Sequence, residues 1–112
     1  MNDTRKMITG SDSGICLRSM SDISDAIGAC IGSADLILTE NDLPHEFFDL
    51  RSGFAGELFQ KFTNYQLRVA IVLPDPNLYG ERFSELAYEH RFHNGIRFVS
   101  SIDKAKSWLQ SF

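Results

Sequence analysis

The sequence predicts a single α/β domain over residues 1–112, with a mixed sheet of four or five strands and helices packed on it. Three observations predict it. Short apolar runs of strand length (34–39, 67–73 and 96–100) alternate with stretches whose apolar residues recur at helical spacing. The run Leu67-Arg68-Val69-Ala70-Ile71-Val72-Leu73 is almost continuously apolar, the pattern of a strand buried on both faces. No repeat, low-complexity segment or linker interrupts the order, and such alternation with short connections implies a sheet covered by helices.

The elements follow in order. Residues 1–13 are polar, and Met7-Ile8 predicts a short edge strand, with 10–14 as the turn that follows it. Ile15 to Met20 reads as a second strand. Ser21 is the expected N-cap of a helix with Asp22 and Asp25 suited to its dipole. Its apolar stripe is Ile23, Ala26, Ile27, Cys30 and Ile31, and Gly32 ends it. Ala34 to Thr39 is a buried strand that ends in the polar turn Glu40-Asn41-Asp42. Phe47 and Phe48 need a core, and Phe54, Leu58, Phe59 and Phe62 mark a strongly amphipathic helix. After the 67–73 strand, Pro74-Asp75-Pro76-Asn77 continues neither strand nor helix. As a loop at the carboxyl end of a central strand, it is a candidate wall for a site. Glu81 to Phe92 is a helix with Phe83, Leu86, Ala87 and His90 inward, closed by Asn94-Gly95. Ile96 to Ser100 is an outer strand. Ser101 caps a last helix, Ile102 to Gln110, which packs Ala105, Trp108 and Leu109.

Composition narrows the functional classes. With 112 residues the chain can bury one core without disulfides or metal. Nine phenylalanines against one tryptophan and three tyrosines point to a core packed on phenyl rings. A formal net charge of −4 with scattered basic residues speaks against a nucleic-acid surface, which needs clustered Lys and Arg. Cys16 and Cys30 fit no zinc spacing, and both sit among apolar neighbours as expected of buried reduced thiols in a cytoplasmic protein. His90 and His93 share a helical face, yet no third ligand follows by spacing, so no metal is expected. No glycine-rich dinucleotide or phosphate loop is present, so no cofactor is expected either. The polar opening predicts no signal peptide, and no apolar run reaches the ~20 residues of a membrane span.

The run from 44 to 73 carries the functional argument. Asp49-Leu50-Arg51-Ser52-Gly53 places an acid, a base, a hydroxyl and a glycine just before a helix, where small α/β domains put function. Ser52 is an N-cap, and the same position stabilises a phosphate through free N–H groups and the helix dipole, with Arg51 as charge partner. Asp49 is a cap or the partner of a buried cation. Glu57 can pair with Arg51, Lys61 or Arg68. Gln60, Lys61, Asn64 and Tyr65 form a polar stripe on the same helix, either a solvated face or a docking surface, and the aromatic Tyr65 favours docking.

The residues Phe47-Phe48-Asp49-Leu50, Gly53, Ala55-Gly56-Glu57, Gln60-Lys61-Phe62, Asn64-Tyr65 and Ala70-Ile71-Val72 resemble the signature of a bacterial family of small domains of unknown function, number 4180. Glu89, Asn94-Gly95 and Phe98-Val99-Ser100 are similar to its closing segment. The resemblance runs from Leu36 onward, departs at the polar N-terminus and at Pro74-Asp75-Pro76, and brings no established activity. More distantly, Ser52-Gly53-Phe54-Ala55-Gly56 ahead of an apolar helix is similar to the turn of STAS domains, the anti-sigma-factor antagonists. In those domains a kinase partner phosphorylates a serine at a helix N-terminus. That resemblance implies a STAS-like sandwich.

Together these features predict a small cytoplasmic regulatory or adaptor domain that acts by protein–protein contact. Its binding or switch residues are Asp49, Arg51, Ser52, Gly53, Glu57, Lys61, Asn64 and Tyr65. A protein partner is expected, with no nucleic acid and no membrane, and an exposed sheet edge near residues 7–20 makes a homodimer plausible. One rival is a small-molecule-binding or enzymatic domain using Asp49, Arg51 and Glu57, with the 74–80 loop as a lid. Another is a phage or mobile-element protein that binds a host protein.

Overall fold

The computed structural model describes residues 6–32 and 34–112. The opening residues 1–5, part of the polar start, lie outside the described residues. The chain forms a four-stranded sheet of β1 (Lys6–Thr9), β2 (Ala34–Thr39), β3 (Val69–Val72) and β4 (Ile96–Val99), in the order β1-β2-β3-β4. All three pairings are parallel, which corrects the expected mixed sheet. The mixed expectation came from reading 15–20 as a strand that follows β1 through a tight turn, a connection that only antiparallel neighbours can make. Instead Gly10–Ser13 is a short helix, α1, capped by the Thr9 hydroxyl at one end and by Gly14 at φ +71° at the other. Residues 15–18 then cross as an extended segment outside the sheet, bonded through Ile15 N–H to the Gly10 carbonyl and Leu17 N–H to the Asp42 carbonyl.

The remaining helices are α2 (Met20–Cys30), α3 (His45–Phe48), α4 (Phe54–Asn64), α5 (Glu81–Glu89) and α6 (Ile102–Gln110). The N-cap of α2 is Ser19 rather than Ser21. The Asp22 carboxylate accepts from the N–H groups of Arg18 and Ser19 at 2.8 and 3.0 Å, and those two bonds hold it below the usual carboxylate range. Ile31 is exposed, because the helix ends one residue before it. Helix α5 stops at Glu89, three residues short of the expected end. The C-terminal helix matches expectation, with Ser101 accepting from Lys104 N–H and Ala105, Trp108 and Leu109 buried. Cys30 is buried, whereas Cys16 is exposed, since the segment that carries it is not a strand.

Strand register sorts the side chains into two layers. Leu36 lies opposite Val69 and Leu38 opposite Ile71, and on across the sheet Val69 meets Ile96. These residues share one core with Ile23 and Ile27 of α2, Leu58 and Phe62 of α4, and Phe83 of α5. The three crossover helices therefore cover one face, as same-handed crossovers between successive neighbours require. Ile37, Ala70 and Val72 point to the other face, where, among the described residues, α6 covers them with Ala105, Trp108 and Leu109. Phe47, fully buried, is ringed by Phe48, Phe59, Phe83 and Phe98 at centroid distances of 5.2–6.4 Å. Among the described residues no helix is long and apolar enough to cross a membrane.

Candidate functional site

Parallel strands bring their carboxyl ends to one edge of the sheet, where the loops following β2 and β3 meet. The chain after β2 turns at once. Thr39 ends the strand, and the Asp42 carboxylate, buried, accepts from both the Thr39 N–H (2.9 Å) and the Thr39 hydroxyl (3.1 Å). This reciprocal cap closes a 3₁₀ turn at Glu40–Asp42. The turn is packed tightly from the other side, since a Cβ on Gly10 would lie 2.8 Å from Asp42 Oδ2.

After β3, Asp75 caps the 3₁₀ turn Pro76–Tyr79 through the Asn77 N–H at 3.0 Å, with Pro76 pre-set for its first position. The turn delivers Tyr79 to the end of β2. Its hydroxyl donates to Glu40 Oε2, and its ring stacks on Phe48 with centroids 3.9 Å apart and planes 12° from parallel. Burial first, and then the bond and negative charge of Glu40, push the Tyr79 phenol up to about 12.

Opposite Tyr79 lies the 46–53 turn. The Ser52 hydroxyl donates to the Glu46 carbonyl at 2.6 Å and accepts from Phe54 N–H at 3.2 Å. Asp49 Oδ1 accepts from Arg51 N–H at 3.1 Å and lies 3.9 Å from the Arg51 guanidinium, both side chains mostly exposed. Gly53 adopts φ +81°, the left-handed conformation that links this turn to α4 without strain. The serine therefore staples the turn across six residues as well as accepting from the first N–H of α4. The N-cap position itself belongs to Gly53.

These two turns and α5 enclose a row of three hollows open to solvent. The first, about 410 Å³, lies among Glu40, Leu43, His45, Phe48, Asp49 and Tyr79. The second, also about 410 Å³, shares Phe48, Asp49 and Tyr79 with it and extends along Leu50, Arg51 and the 80–83 segment. The third, about 510 Å³, shares Leu50, Glu81 and Arg82 with the second and runs up α5 past Glu85, Leu86 and Glu89. The shared walls make a trough with an apolar floor, and five of its side chains (Glu40, Asp49, Glu81, Glu85 and Glu89) are carboxylates.

Of the residues singled out by sequence, Asp49 and Arg51 line this trough, and Ser52 and Gly53 shape its wall. Glu57 and Lys61 are paired with each other one helical turn apart, at 3.5 Å, on α4. Asn64 and Tyr65 close that helix, both exposed. Lys61 and Tyr65 line a different, smaller hollow of about 200 Å³ against Ser24, Ile27, Gly28 and Ile31 of the α2 segment. Asp49 and Glu57 thus have separate partners, and neither trough nor small hollow is lined by both. His90 and His93 do not share a helical face, because α5 ends at Glu89 and His93 lies in the turn beyond it, but their ring centroids are 5.2 Å apart. Among the described residues no group of three or more His, Cys, Asp or Glu side chains is placed to hold a metal ion.

Glu40 and Tyr79 escaped sequence reasoning because they are 39 residues apart and bonded only through the fold. The one available signal was positional, since Glu40 follows directly on the carboxyl end of β2 and Tyr79 lies in the loop that follows β3. No curated protein and no solved structure matches the chain. A family model described as "Domain of unknown function (DUF4180)" matches residues 2–109. Nearly the whole chain is covered, and the protein belongs to the DUF4180 family.

Proposed function

We propose that this is a protein-interaction domain whose docking surface is the trough between the 46–53 turn and α5. The observation that carries the proposal is the joining of three solvent-open hollows through shared walls, with Phe48, Leu50 and Tyr79 as apolar floor. An open, elongated channel suits a polypeptide segment, whereas small-molecule sites bury most of their ligand. The carboxylate excess favours a partner segment that carries Lys or Arg, whose charges would speed and orient its docking.

Ser52 is the switch in this proposal, as in the STAS-like reading of the turn. Its hydroxyl is exposed enough to be modified and holds the Glu46 carbonyl through its only proton. A phosphate on that oxygen removes the donor, and adds charge beside Asp49 and the N–H groups opening α4. The wall made by Phe48 to Arg51 would then shift relative to Tyr79. The proposal includes a regulatory adaptor role in the cytoplasm.

Affinity capture from native cells tests it, with wild type run beside Ser52→Asp, Glu81→Lys/Glu85→Lys and Tyr65→Ala. A partner retained by Tyr65→Ala, and lost by both the charge reversal and Ser52→Asp, supports the trough and its switch. A partner lost only with Tyr65→Ala would move the docking surface to the hollow between α2 and α4.

A further inference from the structure

We infer that His93 is a proton-operated latch on the connection between α5 and the edge strand β4. Its Nδ1 accepts from two backbone donors at once, Gly95 N–H at 2.9 Å and Ile96 N–H at 3.0 Å. A ring nitrogen that faces two donors carries no proton, so the imidazole is neutral with its hydrogen on Nε2. These two bonds fold the 93–96 turn into β4, and the same turn supplies the Gly95 carbonyl that accepts from Val69 N–H at the start of β3.

The surroundings oppose a charge on this ring. From α5, the His90 ring lies 5.2 Å away, and its Nδ1 sits 2.9 Å from the Leu86 carbonyl, a geometry in which only the nitrogen can donate. From β4, Arg97 donates through Nε to the His93 carbonyl at 2.9 Å. From α4, Phe59 offers only an apolar ring, packed on His90 at 5.0 Å. Arg91, close by in the turn, has its guanidinium over the Tyr88 ring, and Arg68, ahead of β3, has its own over Phe112. His93 is an exposed residue, and the partial desolvation of its ring, then His90, then Arg97 hold it below the usual histidine value of 6.5.

Protonation at Nδ1 places a third donor against the two amides. Both bonds are lost together, and the new positive charge faces Arg97 and His90. Because β4 pairs, among the described residues, only with β3, the release stays at the sheet edge and leaves the pairing of β1, β2 and β3 in place. The sign follows from the lowered value. The unfolded ring binds its proton first as pH falls, so the latch is fully shut above about 6.5 and opens as pH falls through the depressed folded value.

An NMR titration of the whole protein tests the inference, following the His93 ring and the Gly95 and Ile96 amides together. We expect both amides to shift, and their protection from exchange (corrected for intrinsic pH dependence) to fall about tenfold, the scale of one lost net hydrogen bond. All three curves should share one midpoint below the ordinary histidine value. In His93→Asn, whose side-chain oxygen accepts but does not titrate, both amides should stay protected over the same range. Should that variant fail to fold, His90→Gln serves instead, with the shared midpoint moved upward as one cause of the lowered His93 value is removed. Amides that keep their protection while His93 titrates, or a His93 midpoint at or above the ordinary value, would overturn the latch.

Discussion

The Ser52 hydroxyl reaches back six residues to donate to the Glu46 carbonyl at 2.6 Å, and this bond fixes the turn that presents Phe48 to Tyr79. Ser52→Ala removes it along with the Phe54 N–H acceptor. The site is exposed, so the expected loss of stability is modest, about 0.5–1.5 kcal/mol, read from the urea midpoint. Ser52→Thr, which keeps the hydroxyl, should recover most of it. Equal midpoints for wild type and Ser52→Ala would show that the turn holds without the staple.

The phenyl cluster should be the most sensitive part of the core. Phe47 is fully buried, and four other phenyl rings surround it. Phe47→Ala should cost about 3–5 kcal/mol in denaturant unfolding. Phe47→Leu should cost less, since it leaves a smaller cavity.

Two glycines should respond in opposite directions. Gly10→Ala drives a methyl group to within 2.8 Å of both Asp42 Oδ2, which is held by its bonds to Thr39, and the Ile15 carbonyl, a backbone atom. A destabilisation of about 1–3 kcal/mol is expected. Gly28, exposed in the interior of α2, has nothing within 4 Å of an added Cβ. Gly28→Ala should stabilise by about 0.4–1 kcal/mol, through better helix propensity and a less disordered unfolded chain. Thermal melts of both variants beside wild type decide the pair.

Tyr79 should make stability fall in alkali. Its folded value is raised to about 12 from 10.0, so the native state holds its proton longer than the unfolded chain does. The contribution is fully present below pH 10, and is lost as pH rises toward 12. Phenolate absorbance should show one tyrosine titrating late, and Tyr79→Phe should abolish that late step. A wild type in which all three tyrosines titrate normally would contradict the Tyr79–Glu40 bond.

Much of the fold was legible because burial writes periodicity into sequence. The 34–39 strand and the 102–110 helix came out at their observed bounds, and the 67–73 run contains β3 with Leu67 and Leu73 as buried flanks. The 15–20 segment misled for a physical reason. Leu17 is buried and Ile15 partly so, hence the alternation of a strand, yet the segment bonds to the Asp42 carbonyl rather than to a neighbouring strand. Local pattern reports burial and not hydrogen-bond partners. The same limit applies to the site. Asp49 and Arg51 announced themselves as a polar turn before a helix, whereas Glu40 and Tyr79 look ordinary until β2 and β3 lie side by side.

Electrostatic docking predicts a salt response. A trough with five carboxylates should hold a basic segment less tightly as ionic strength rises, mainly through slower association. Binding kinetics of the captured partner across a salt series would check this, and a salt-independent rate would contradict the charge complementarity.

Site-specific photo-crosslinking in native cells tests the docking surface most directly, with the reactive residue placed at Glu81 in one variant and at Tyr65 in another. A crosslinked protein partner at position 81 and none at 65, lost when Ser52→Asp is added, is the predicted result. A partner crosslinked at 65 alone, or one at 81 that is indifferent to Ser52→Asp, would contradict the Ser52-held trough as the docking site.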